Sequence, residues 1–265
     1  MPSSSINGPL WNAEADTWAA LQESTARPLY DHVLAALTVA VGVEYLDLGC
    51  GSGLALSLAG ARGASLHGLD AAAGLLHIAR SRVPEAELVL GDLEALPFAN
   101  RAFDVVTGFN SFQYASRPAR AIAEAFRVTR PGGHVVVATW APADQTQAAA
   151  LLAALRPLMP PAPPDAPGPF ALSDESALRS LVAEAGFIPR SIIDVDCPFV
   201  YPDTATAVRA LGSSGVAQRA RIHSGAEAVD CAHETALGSF VRADGTVFVP
   251  NRFRYLLAQR NREDS

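Results

Sequence analysis

Leu46-Asp47-Leu48-Gly49-Cys50-Gly51-Ser52-Gly53 stands where a short apolar run gives way to a helix-forming one. Glycine at every second position removes Cβ atoms, so the backbone can turn tightly and a ligand can approach the peptide plane. In a strand–turn–helix setting such a loop points to a nucleotide-like ligand. Asp47 narrows the choice. A carboxylate here repels a pyrophosphate resting on the helix N-terminus and suits the cationic end of a cofactor that carries an amino acid. Leu54 occupies the place of a dinucleotide motif's third glycine, which puts a dinucleotide second.

Outward from the loop, apolar runs at 43–48, 65–69, 87–90, 103–109 and 134–140 alternate with segments of helical period, the pattern of parallel strands joined by crossover helices. Leu75, Leu76, Ala79 and Val83 share one helical face, and Pro84 stops that helix. Ile122, Ala125, Phe126 and Thr129 repeat at the same spacing, with Pro131-Gly132-Gly133 as the turn into the fifth strand. The proline-rich stretch 157–169 reads as a loop or lid. A helix follows over 173–185, with Ser173 as N-cap and Gly186 as terminator, then a strand over 188–200. Segment 204–237 reads as helical with a break at 212–215, and 246–257 as a last strand interrupted at Pro250.

Two more acids stand at strand ends. Asp70, in Gly68-Leu69-Asp70, can accept hydrogen bonds from two ribose hydroxyls, or cap a helix beginning at Ala71. Asp92, in Gly91-Asp92-Leu93, can accept an adenine amino group or serve as a plain turn residue. Three acids at successive strand ends favour the ligand reading.

Five stretches, LDLGCGSG (46–53), GLDAA (68–72), GDLEALPFANRAFDVV (91–106), FNSFQYA (109–115) and RPGGHVVVATW (130–140), follow one another in the order of a known family. The chain resembles the class I S-adenosylmethionine (AdoMet)-dependent methyltransferases, particularly the small-molecule type of ubiquinone and menaquinone biosynthesis. That resemblance implies a Rossmann-like α/β fold: a seven-stranded, mostly parallel sheet of order 3-2-1-4-5-7-6 with helices on both faces, a helical cap and an antiparallel seventh strand. It implies Asp47, Gly49 and Gly51 at the methionine part of AdoMet, Asp70 with neighbouring Ala71 at the ribose, Asp92 and Leu93 at the adenine, and Phe109 or Asn110 beside the sulfonium. The organisation expected is a helical cap over 1–40 and a methyltransferase domain over 41–265, with lid or insertion segments near 141–172 and 201–240.

A net charge of −7, with 20 basic residues that are all arginine, disfavours a nucleic-acid partner. Composition, 49% hydrophobic and 18% charged, is that of a folded chain. Cys50, Cys197 and Cys231 are too scattered for a disulfide framework or a zinc site, so no metal is expected. Lacking an apolar leader or a run of about 18 apolar residues, the chain is read as cytoplasmic, without a membrane partner.

In-line methyl transfer relies on positioning. A hydroxyl acceptor also needs a base, for which His223, His233, Tyr114 and Asp144 are the candidates. Trp11, Trp18, Leu21 and Tyr30 either cover the cofactor or pack on the sheet. The expected partner is a small, largely uncharged methyl acceptor. Two alternatives stay open: an NAD(P)-binding oxidoreductase, and a non-catalytic protein that binds AdoMet or S-adenosylhomocysteine (AdoHcy).

Overall fold

Val135, Val136, Val137 and Ala138 are consecutive and fully buried, yet they feed two different cores. Val135 and Val137 pack with Leu46, Leu48 and Val106, whereas Val136 and Ala138 pack with Leu29, Val33 and Phe109. Side chains alternate across a strand, so a run buried throughout marks a sheet covered on both faces. A computed structural model describes residues 2–161 and 169–263 of this chain.

The seven-stranded sheet contains β1 (Glu44–Leu48), β2 (Ser65–Asp70), β3 (Glu87–Leu90), β4 (Phe103–Phe109), β5 (Thr129–Trp140), β6 (Ile188–Asp196) and β9 (Arg252–Gln259). A separate ribbon pairs β7 (Phe199–Tyr201) with β8 (Val247–Val249). The sheet order is β3-β2-β1-β4-β5-β9-β6, with β9 antiparallel to both its neighbours. With the ribbon set aside, β9 is the seventh sheet strand in chain order, and the expected 3-2-1-4-5-7-6 sheet is present. The order reverses between β1 and β4, and the carboxyl ends of these strands open onto the crevice where such sheets bind ligands.

Before the sheet come α1 (Ser3–Asn12) and α2 (Ala15–Thr17). A π turn (Trp18–Gln22) and a 3-10 turn (Glu23–Ala26) then lead into α3 (Arg27–Ala36). The crossovers are α4 (Leu54–Gly60), α5 (Ala73–Arg82) and α6 (Pro118–Val128); α7 (Ala148–Leu155) and α8 (Glu175–Glu184) follow β5. In α5 the expected face is the buried one, Leu75, Leu76 and Ala79. In α6, which starts with proline at its first turn, Ala121, Ile122, Ala125 and Val128 are buried.

Three expectations need correction. Residues 188–200 are two strands, because Pro198 cannot donate to a ladder. The last strand is interrupted around Pro250, between β8 and β9, as expected. Both breaks fall at one level, with Cys197 N–H donating to Asn251 O at 2.9 Å. There the ribbon leaves the sheet and carries α9 (Thr204–Gly212), α10 (Gly215–Ser224) and α11 (Ala226–Leu237). The N-cap of α8 is Asp174, whose carboxylate accepts from Ala177 N–H at 2.7 Å, while the Ser173 hydroxyl donates to Trp140 O. Pro131-Gly132-Gly133 is not a separate turn: β5 begins at Thr129 and absorbs these residues as an irregularity in its pairing with β4. Of the proline-rich stretch 157–169, residues 162–168 lie outside the described residues.

Candidate functional site

Gly49, Gly51 and Gly53 all have positive φ, the conformation that turns β1 back into α4. At Gly49 a Cβ would also stand 2.5 Å from the Ser111 Cβ, so the loop after β1 lies directly against the loop after β4. Gly49 N–H and Cys50 N–H both donate to Leu69 O, which ties the loop to the end of β2.

Asp47 is 2% exposed and accepts from the Thr107 hydroxyl at 2.8 Å. Burial pushes its pKa up to about 7; the Thr107 hydrogen bond opposes this, and the charges of Asp70 and Glu23 add to it. Asp70 bridges two segments, accepting from Gly51 N–H and from Ala72 N–H, each at 2.8 Å. Because α5 begins at Ala73 with Ala72 as its cap residue, Asp70 is not the N-cap. Desolvation raises its pKa as well, against those backbone hydrogen bonds. Asp92 lies at the rim. Its carboxylate accepts from the Ser3 hydroxyl at 3.1 Å, Ser4 N–H at 2.7 Å and Glu94 N–H at 2.8 Å. Burial opposes its ionisation, but these hydrogen bonds prevail and hold the pKa below the usual carboxylate range.

A single cavity above the carboxyl ends of the strands is lined by all nine residues read as cofactor-binding: Asp47, Gly49, Gly51, Asp70, Ala71, Asp92, Leu93, Phe109 and Asn110. Asn110 holds a left-handed backbone at φ 51°, sparsely populated for a side-chain-bearing residue, and Gln113 Nε2 donates to its side-chain oxygen. The four candidate bases separate. His233 and Tyr114 line the cavity, whereas His223 and Asp144 are exposed and line no part of it. Burial raises the Tyr114 pKa to about 12, which makes this phenol a hydrogen-bond donor near neutral pH. His233 is 2% exposed, and burial lowers its pKa to about 4.

Sequence reasoning missed Gln22 and Glu23. Both sit where the π turn passes into the 3-10 turn, and π segments often mark sites. Glu23 is 5% exposed, pairs with Arg82 at 2.5 Å and accepts from Leu54 N–H at 3.4 Å, so it closes the glycine loop from above. Gln22 accepts from the Tyr201 hydroxyl at 2.6 Å. The roof is continuous: Trp11 stacks edge-on against Trp18 and Tyr114, and Gly215 of α10 lies so close to Trp11 that a Cβ would meet the indole at 2.7 Å. Among the described residues no group of three metal-ligating side chains gathers, and no helix is long and apolar enough to cross a membrane.

The donor set fits AdoMet. Asp47, Asp70 and Glu23 are buried acids around one cavity, and among the described residues only Arg82, on Glu23, forms an ion pair with any of them. Such a site lacks positive charge, which a sulfonium and an ammonium supply. Sheet order and acid-lined glycine loop together define the fold of a class I methyltransferase.

Residues 46–137, about a third of the chain, match the family model described as "Methyltransferase domain". The chain is 36% identical over 106 residues to a demethylmenaquinone methyltransferase of Renibacterium salmoninarum, covering 40% of this chain and 45% of that protein. Against a malonyl-[acyl-carrier protein] O-methyltransferase of Erwinia billingiae it is 33% identical over 175 residues, 66% of this chain and 65% of that protein. The chain thus spans less than two thirds of either relative, and about half of the first. Among solved structures, the [4+2]-cyclase SpnF superposes with a TM-score of 0.60 at 21% identity, over 92% of this chain and 84% of that one. A putative methyltransferase of Bacillus halodurans gives 0.59 at 16%, over 88% and 98%. At these identities the structural likeness concerns the fold.

Proposed function

We propose that this protein transfers the methyl group of AdoMet to a small, largely uncharged organic molecule. The observation that carries this reading is the convergence of Asp47, Asp70 and Asp92 from three successive strand ends on one cavity that also holds an apolar chamber. Relatives named for demethylmenaquinone and for malonyl-acyl carrier protein support a low-molecular-weight or carrier-borne acceptor over a nucleic acid. They also favour methyl transfer over the dinucleotide-dependent alternative.

In this reading Asp47 and the Gly49–Gly51 backbone receive the methionine end, Asp70 with Ala71 the ribose, and Asp92 with Leu93 the adenine. Phe109 and Asn110 flank the sulfonium. When bound, AdoMet supplies an electrophilic methyl group whose leaving group departs neutral. The chain's own task is positioning and exclusion of water. Segment 1–40 acts as a cap over the domain of 41–265: Ser3 and Ser4 of α1 already hold Asp92, and Asn7 Nδ2 donates to Tyr114 O at 2.8 Å. The fold has no evident membrane span among its described residues, in keeping with a cytoplasmic enzyme.

Incubation with methyl-labelled AdoMet and, in parallel, the small-molecule and the macromolecular fractions of a heat-treated cell extract tests this. The expected result is label in solvent-extractable small molecules, dependent on intact Asp70. Label confined to protein or nucleic acid would contradict the assignment.

A further inference from the structure

Beyond the cofactor's acids, the cavity changes character. Trp11, Trp18, Tyr30, Trp140, Phe199 and Phe253 wall its other part, with Leu151, Leu155 and Leu211 between them. All three tryptophans of the chain therefore face this one space. No arginine lines the cavity among the described residues, and the chain has no lysine, while Glu23, Asp47, Asp70 and Asp92 give the walls a negative sign. A carboxylate or phosphate acceptor would be desolvated there without a counter-ion and repelled by the acids.

Within this chamber one polar group is conspicuous. His233 lies on α11, which packs against α7 and α9, the helices that supply Leu151 and Leu211. It is 2% exposed and lines the cavity, and its Nδ1 has no hydrogen-bond partner. Nδ1 is closed off as well as unpartnered, which leaves Nε2 as the ring nitrogen open to a ligand hydroxyl.

We infer that the acceptor is a neutral, ring-bearing molecule with a hydroxyl group, and that His233 accepts the proton of that hydroxyl as the oxygen is methylated. This rests on the methyl-transfer reading above. As the acceptor oxygen forms its bond to the methyl carbon, the carbon–sulfur bond breaks and its electron pair stays on sulfur. The hydroxyl proton passes to the imidazole and leaves to solvent after product release. The balance is an aryl or alkyl methyl ether, AdoHcy and one proton. Two charged groups face His233: Asp230 on α11 and Arg221 on α10, which pair with each other at 2.5 Å and act on the imidazole in opposite directions. Burial outweighs both and keeps the imidazole unprotonated near neutral pH, free to accept. The aromatic walls would stack on the acceptor ring.

The test is calorimetric titration of the AdoHcy-loaded protein with 2-naphthol and with 2-naphthoate, which share a ring system and differ in charge. The naphthol should bind at least tenfold more tightly than the naphthoate. In His233→Leu and in His233→Gln the AdoHcy affinity should stay within twofold. The leucine variant should lose about tenfold in naphthol affinity, the glutamine variant should recover part of it, and both should fall at least a hundredfold in naphthol methylation. Preference for the naphthoate, no binding of the naphthol, or naphthol affinity and turnover unchanged in both variants would overturn the inference. Failure of AdoHcy to bind at the outset would instead overturn the methyltransferase reading, so the two failures are distinguishable.

Discussion

Asp47 has given up water for a single hydroxyl donor, and its proton is held accordingly. The folded chain binds that proton more tightly than the unfolded chain, so Asp47's contribution to stability falls as pH rises from 3.8 to about 7. A cationic ligand reverses the preference and favours the ionised form. AdoMet affinity should therefore be about tenfold weaker at pH 6 than at pH 8, with proton uptake by the buffer on binding at pH 6. Calorimetry in two buffers of different ionisation enthalpy checks this, and Asp47→Asn should abolish most of the dependence. Asp70→Ala should weaken AdoMet binding by roughly 1–3 kcal/mol, the scale of hydrogen bonds to a charged group; a folded variant with unchanged affinity would refute the ribose assignment. These acids were legible because each stands beside a glycine or at a strand end, a local signal. Glu23 was not, since its role comes from contacts with Leu54 and Arg82, 31 and 59 residues away.

At the scale of elements, the glycine loop and the roof make separate demands. Gly49→Ala combines a left-handed backbone with a Cβ 2.5 Å from Ser111, and should cost ~1–3 kcal/mol in thermal or denaturant unfolding. Gly215→Val should push α10 off Trp11 and open the roof, because the clash falls on a large ring wedged between Trp18 and Tyr114. Its readout is tryptophan emission, which should shift to the red; an unchanged spectrum would mean that α10 does not seal the chamber. Strands β1 to β4 were readable as short, largely apolar runs bounded by glycine, proline or charge. The β7–β8 ribbon was not, because Pro198 and Pro250 each break a run whose partner lies some 50 residues away, and only the pairing reveals that the breaks coincide. The cap of α8 moved by one residue for a related reason: Ser173 is held by the end of β5, which leaves Asp174 to cap.

Across the whole molecule, the sheet supplies a negatively charged edge and the added segments supply an apolar cover. The acids come from β1, β2 and the turn after β3. The chamber comes from α1, the π turn, α3, α7, the ribbon and its helices, with Trp140 of β5 and Phe253 of β9 closing it on the sheet side. The first half of this division follows from the motif order in the sequence, whereas the second depends on long-range packing between α1 and α10 that no local pattern encodes. Because ligand binding to the folded state alone raises its stability, AdoHcy at 100 times its Kd should add about 2.7 kcal/mol. The most direct measurement is calorimetric titration of the purified protein with AdoMet and AdoHcy, with NADH as the control. The account predicts one site per chain for the adenosyl compounds and no heat of binding from NADH. Binding of NADH without AdoMet or AdoHcy would contradict it, and would make the Leu46–Gly53 loop a dinucleotide site.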